Sequence, residues 1–142
     1  MIPISDREQS ERDQREGPED PSDPRDSRDP PTQAQVQAEL AREILRIHDE
    51  SYGKGAKGAK AIVAGDWVIV LLDELELLPN EKFLVENGKA DTVTQVRTQY
   101  MNAIQSSFRA AVERATGRTV IGFTSASSVE EPRFVAEVFK LR

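Results

Sequence analysis

A chain of 142 residues holds one domain, and too little remains for two once its polar N-terminal stretch is set aside. It contains no cysteine, which excludes a disulfide framework and a thiolate metal site and fits a reducing, cytoplasmic compartment. The longest unbroken apolar run is Trp67–Leu72, far below the ~20 residues that span a bilayer, and the N-terminus lacks the apolar segment of a secretory leader.

Residues 1–31 carry ten acidic residues, five arginines and six of the eight prolines, with only Met1, Ile2 and Ile4 strongly apolar. Such a stretch cannot bury enough surface to offset its ordering entropy, so a disordered acidic arm is expected there, with a single domain over 32–142. The arm's ten acids and five bases account for -5 of the formal charge of -6. The domain is therefore nearly balanced, which does not fit a basic nucleic-acid-binding surface.

In chain order, Thr32 and Gln35 form a capping box for a first helix, with Val36, Leu40, Ile44 and Ile47 as its apolar stripe and an end near Ser51. Gly53–Gly58 reads as a flexible loop and Ala59–Ala64 as a short strand. Gly65-Asp66 suits a two-residue hairpin turn. Trp67–Asp73 is apolar on both faces, hence a central strand. Pro79 opens a short helix to Glu86, closed by Asn87-Gly88. A long helix over residues 92–116 follows, capped by Thr92 with Gln95 and ended by Gly117. Its expected buried stripe is Val93, Val96, Tyr100, Ile104, Phe108, Val112 and Ala115, with Arg97 on the polar side. Thr119–Thr124 and Arg133–Leu141 read as strands around a polar loop, Ser125–Glu131. Two hairpins separated by helices predict an α+β fold: an antiparallel four-stranded sheet with helices on one face, in the order α-β-β-α-α-β-β.

Candidate chemistry is sparse. Gly53–Gly58 matches G-x-G-x-x-G, but it follows a helix and enters a strand, the reverse of a dinucleotide site. Gly53, Lys54, Gly55, Lys57, Gly58 and Lys60 nevertheless make a candidate anion-binding loop for a phosphate, nucleotide or bicarbonate. The embedded Gly55-Ala56-Lys57-Gly58 also matches the G-x-x-G loop of a KH domain, although that loop joins two helices; RNA binding is the third reading. His48 lies at the edge of the first helix's stripe, where packing explains it. Asp73, Glu74 and Glu76 form a solvated acidic strand end. The serines lack a nucleophile elbow. Trp67 and Tyr100 read as core or core-edge aromatics, and the four arginines Arg97, Arg109, Arg114 and Arg118 do not share one stripe. No catalytic residues, metal ligands or cofactor are assigned.

The order and spacing of these pieces resemble the MpsC-like domain family over about residues 33–141. The carriers are Gly53-Lys54-Gly55, the Ala61–Ala64 strand, Gly65-Asp66, Val68–Leu72, Leu77-Leu78-Pro79-Asn80-Glu81-Lys82-Phe83-Leu84, Val96-Arg97, Thr116-Gly117 and Val138-Phe139-Lys140-Leu141. The family usually has Thr at the position of Leu78 and Pro at that of Ala56. The resemblance implies an accessory subunit of a sodium-translocating, membrane-potential-generating system, linked in some members to bicarbonate uptake. A non-enzymatic domain docking on a membrane transport subunit, and forming a homodimer, is the corresponding expectation.

Overall fold

The computed structural model describes residues 29–53 and 55–142. The expected arm falls almost wholly outside them. Thr32–Arg142 forms one compact unit. Its elements are α1 (Gln33–Tyr52), β1 (Ala56–Ala64), β2 (Trp67–Leu75), α2 (Pro79–Glu86), α3 (Ala90–Ala103), α4 (Gln105–Thr116), β3 (Val120–Ser128) and β4 (Phe134–Leu141).

The four strands form one antiparallel sheet in the order β1-β2-β4-β3. Two hairpins thus meet through β2 and β4, and the edges are β1 and β3. The turn at Gly65-Asp66 joins Ala64 directly to its partner Trp67, with Gly65 at φ 58°, a conformation that glycine adopts without a Cβ clash.

Side chains alternate along each strand. Val68, Val70 and Leu72 of β2, with Val135, Phe139 and Leu141 of β4, point under the helices and are buried. Leu40 and Ile44 of α1, Met101 of α3, and Phe108 and Val112 of α4 close the core from the other side. Phe123 bridges the layers, with ring centroids 6.1 Å from Phe108 and 5.2 Å from Phe139. Leu77, Val93 and Val129 form a smaller cluster.

The α1 capping box forms as expected: Thr32 Oγ1 accepts from Gln35 N at 3.1 Å, and Gln35 Oε1 accepts from Thr32 N at 2.8 Å. Helix α1 ends on Gly53 at φ 91°. Helix α2 has the expected span; its N-cap Leu78 offers no side-chain acceptor, and Glu81 Oε1 instead reaches back to the Leu78 N–H at 2.8 Å.

The long helix is corrected to two. It breaks at Ile104, where φ is -103° and ψ 12°. The Gln105 side chain donates to the Asn102 carbonyl at 3.1 Å, so a side chain serves a carbonyl freed from the helical ladder. The helix also starts earlier, at Ala90, and Thr92 does not cap it. The buried residues are Val93, Arg97 and Met101 before the break and Phe108, Ala111 and Val112 after it. Val96 is 53% exposed, and Arg97, expected on the polar side, is fully buried.

Three strands are longer than expected. Residues Ala56–Gly58 belong to β1, Glu74 and Leu75 extend β2, and Ser125–Ser128 belong to β3, because each segment finds a ladder partner across the sheet. Trp67, expected in the core or at its edge, is on the surface. Inward alternation of Val68 turns it outward, 46% exposed, with Lys140 Nζ 4.4 Å above its ring.

Candidate functional site

The glycine stretch does not form a single loop. Gly55 is packed against the Asp49 carboxylate: a Cβ added there would stand 1.4 Å from Asp49 Oδ1. That carboxylate accepts the Ala56 N–H, while burial raises its pKa. The Gly55 carbonyl accepts from Glu76 N at 2.9 Å. The loop therefore already cradles an anion, its own aspartate. Gly58 pairs with Asp73 in the β1–β2 ladder. Lys57 and Lys60 are both exposed. Lys54 lies outside the described residues. Lys57 borders a cleft of about 350 Å³ with Glu74, Glu76, Lys82, Glu131 and Arg133. Three cations there share the space with three carboxylates, and Arg133 is paired with Glu131 at 3.0 Å. Asp73 is exposed on the sheet face that carries no helix.

A denser constellation lies where the end of α1 meets α2 and α3. Arg97 grips Glu81 with one edge of its guanidinium: Nε to Oε2 at 2.9 Å and Nη2 to Oε1 at 2.8 Å. Tyr52 Oη donates to Glu81 Oε2 at 2.5 Å. With the Leu78 amide added, both oxygens of Glu81 are engaged. The Arg97 guanidinium carbon stands 4.2 Å above the Tyr52 ring, and Nη2 also reaches the Glu76 carbonyl at 3.3 Å. Burial alone would push the Glu81 carboxyl up. The bonds from Arg97, Tyr52 and Leu78 outweigh it and hold the pKa below the ordinary range. Burial, with the bond to Glu81, raises that of Tyr52. His48 stacks on Tyr52 at 6.1 Å. Burial, with the charge of Arg97, lowers its pKa to about 4, so it is neutral at pH 7.

Above this clamp opens an apolar cleft of about 290 Å³. Leu84, Val93, Val96 and Tyr100 form its apolar walls, and Tyr52 and Glu81 its floor. Tyr100 meets Tyr52 edge-on at 5.0 Å and donates its hydroxyl to the Ser51 carbonyl. Val96 and Tyr100 are exposed, as is Phe83 on α2 at 64%. The sequence reading missed this site because it placed Arg97 among polar residues. The available signal was the i, i+4 spacing of Val93, Arg97 and Met101, which puts a cation inside an apolar row.

Fold and site together define a compact α+β domain with one sheet layer and one helix layer. A buried ion pair braces its apolar surface cleft, with both oxygens of Glu81 engaged and Arg97 Nη1 left without a hydrogen-bond partner. The chain belongs to the MpsC family, described as Na+-translocating membrane potential-generating system (MpsC), whose model matches residues 32–142. No curated protein and no solved structure matches the chain. Among the described residues, no helix is long and apolar enough to cross a membrane.

Proposed function

We propose that this chain is a non-enzymatic, cytoplasmic accessory domain of a sodium-translocating membrane system. It acts by docking the α2–α3 cleft on a partner subunit, receiving an apolar side chain from a helix of that subunit. The observation that carries this reading is the exposure of Val96 and Tyr100 on a cleft whose floor is held rigid by the Glu81–Arg97 clamp. A preformed apolar cleft with a fixed floor suits helix-in-groove recognition, because little ordering entropy remains to be lost on binding. Both carboxylate oxygens of Glu81 are committed within the clamp, which favours a structural over a chemical role for it. The family description supplies the membrane system.

The test is a photo-crosslinking amino acid at position 96, with Val96→Arg as the paired variant. Position 96 is expected to crosslink to a membrane-embedded polypeptide. Val96→Arg is expected to release the chain from the membrane fraction and to lower the sodium-dependent membrane potential. A Val96→Arg chain that keeps both membrane association and potential refutes the reading.

A further inference from the structure

The sheet face away from the helices is uncovered among the described residues. Its outward side chains include an apolar band, Ile62, Trp67, Ile69, Leu71, Phe134 and Val138, bordered by Lys60, Asp73 and Lys140. Trp67 is 46%, Phe134 38% and Ile62 36% exposed. The ladder places Ile62, Ile69 and Val138 in one row across three strands. The next row holds Lys60, Leu71 and Ala136. Strands of eight or nine residues at ~3.3 Å rise and ~4.8 Å spacing make a face of about 530 Å² in plan before side-chain relief is added. Stable interfaces bury about 600–1,000 Å² per partner, and a contiguous apolar patch of several hundred Å² is itself the mark of one.

We infer that a second copy of this chain covers this face, the two sheets packing face to face about a two-fold axis that lies between them and perpendicular to the strands. Charge placement selects that arrangement. At one end of the face, Trp67 pairs with Lys140; at the other, Asp73 pairs with Phe134. A two-fold axis across the strands brings each end over the opposite end of its mate. Lys140 of one copy then lies beside Asp73 of the other, Trp67 meets the Asp73–Phe134 end, and Ile69 packs on Leu71. A rotation about an axis along the strands, between β2 and β4, leaves Lys140 over the mate's Trp67 and Asp73 over its Phe134, with Lys140 and Asp73 at opposite ends of the face. The sheet edges favour the face over edge-to-edge pairing: β1 carries Lys57 and Lys60, and β3 has a bulge between Val120 and Gly122. Residues 1–28 offer only Met1, Ile2 and Ile4 as strongly apolar side chains, too few to cover the band.

Sedimentation and light scattering of the full chain test this. The wild type is expected at twice the 15.8 kDa chain mass, Ile69→Arg at the single mass, and Val96→Arg, on the helical side, still at twice the mass. Because Ile69→Arg perturbs a strand centre, the charge exchange gives an independent readout at the ends of the face. Lys140→Asp is expected to raise the dimer dissociation constant at least about tenfold, and Lys140→Asp with Asp73→Lys to restore it. A wild type that stays at 15.8 kDa at about 100 µM overturns the inference. So does an Ile69→Arg dimer, and so does a double charge variant no tighter than the single one. The Val96→Arg outcome separates this interface from the cleft used for the partner.

Discussion

Glu137 lies on the covered face of the sheet, fully buried, with both carboxyl oxygens unpartnered. Across the sheet it faces Val70 and Ser125, and burial pushes its pKa from 4.5 up to about 8. The folded state therefore binds more protons than the unfolded state between these values, and stability falls as pH rises through that window. At ~1.4 kcal/mol per pH unit the full loss is about 5 kcal/mol, against a total of about 5–15 kcal/mol for a single domain. His48 acts in the opposite sense. Its pKa is lowered from 6.5 to about 4, so the unfolded state binds the extra proton. Its contribution is complete above pH 6.5 and is lost as pH falls toward 4, about 3 kcal/mol in all. Where the two windows overlap, from pH 4.5 to 6.5, the slopes cancel. The wild type is expected to be level there with respect to these two groups and to weaken toward pH 8. Glu137→Gln removes one slope. Measured by urea unfolding and referred to the difference at pH 4.5, the variant is expected to gain on the wild type by about 3 kcal/mol at pH 7 and about 5 kcal/mol at pH 9. Wild-type and variant stabilities that run parallel from pH 4.5 to 9 would refute the view of Glu137 as a proton-holding core acid.

Three further outcomes follow from the packing. Arg97→Met strands the Glu81 carboxylate in a buried site and is expected to lower unfolding free energy by about 3–5 kcal/mol. Arg97→Met with Glu81→Leu should recover most of that loss, and chemical denaturation of the three proteins checks both. Gly55→Ala forces Asp49 to turn away and give up the Ala56 N–H, a loss of about 1–2 kcal/mol by urea unfolding; an Ala variant as stable as wild type would show that the aspartate moves freely. Phe108→Ala removes the fully buried end of the three-ring stack, and its unfolding midpoint should fall by the equivalent of about 3–5 kcal/mol.

What was legible in the residues was what local chemistry decides. The Thr32–Gln35 box, the Gly65-Asp66 turn and the Pro79–Glu86 helix each depend on atoms within a few positions of one another. The sheet itself was legible because alternation and hairpin turns are short-range signals. Strand ends were not: Ala56–Gly58 and Ser125–Ser128 look like loop, and only a partner strand makes them β. The division of the long helix at Ile104 rests on a side chain taking over a helix carbonyl, which no periodicity announces. Arg97 was misplaced because a helical wheel scores each residue by its own polarity, whereas Glu81, Tyr52 and the Leu78 amide together make this cation tolerable inside the core. The candidate site was therefore nearly invisible beforehand, and the glycine stretch drew attention because it resembled a motif whose structural context it lacks.

Under the proposed docking role, the clamp and the open face answer different demands. An apolar pair of the same volume in place of Arg97 and Glu81 would be as stable or more so, so thermodynamic stability alone does not explain the ion pair. What it adds is geometry. A bidentate bond has one good alignment, and through it α3 is held to α2 and Val96 and Tyr100 to the cleft they border. The helices cover one side of the sheet and the apolar band lies on the other, so dimerisation through the band leaves both clefts turned outward. Two outward clefts on opposite sides of one rigid body would each take one partner subunit where two linked partners reach around the dimer. Once the first is engaged, the second is recruited at the effective concentration set by the dimer rather than at its bulk concentration. A weak cleft of about 290 Å³ can then hold a complex that a single copy could not.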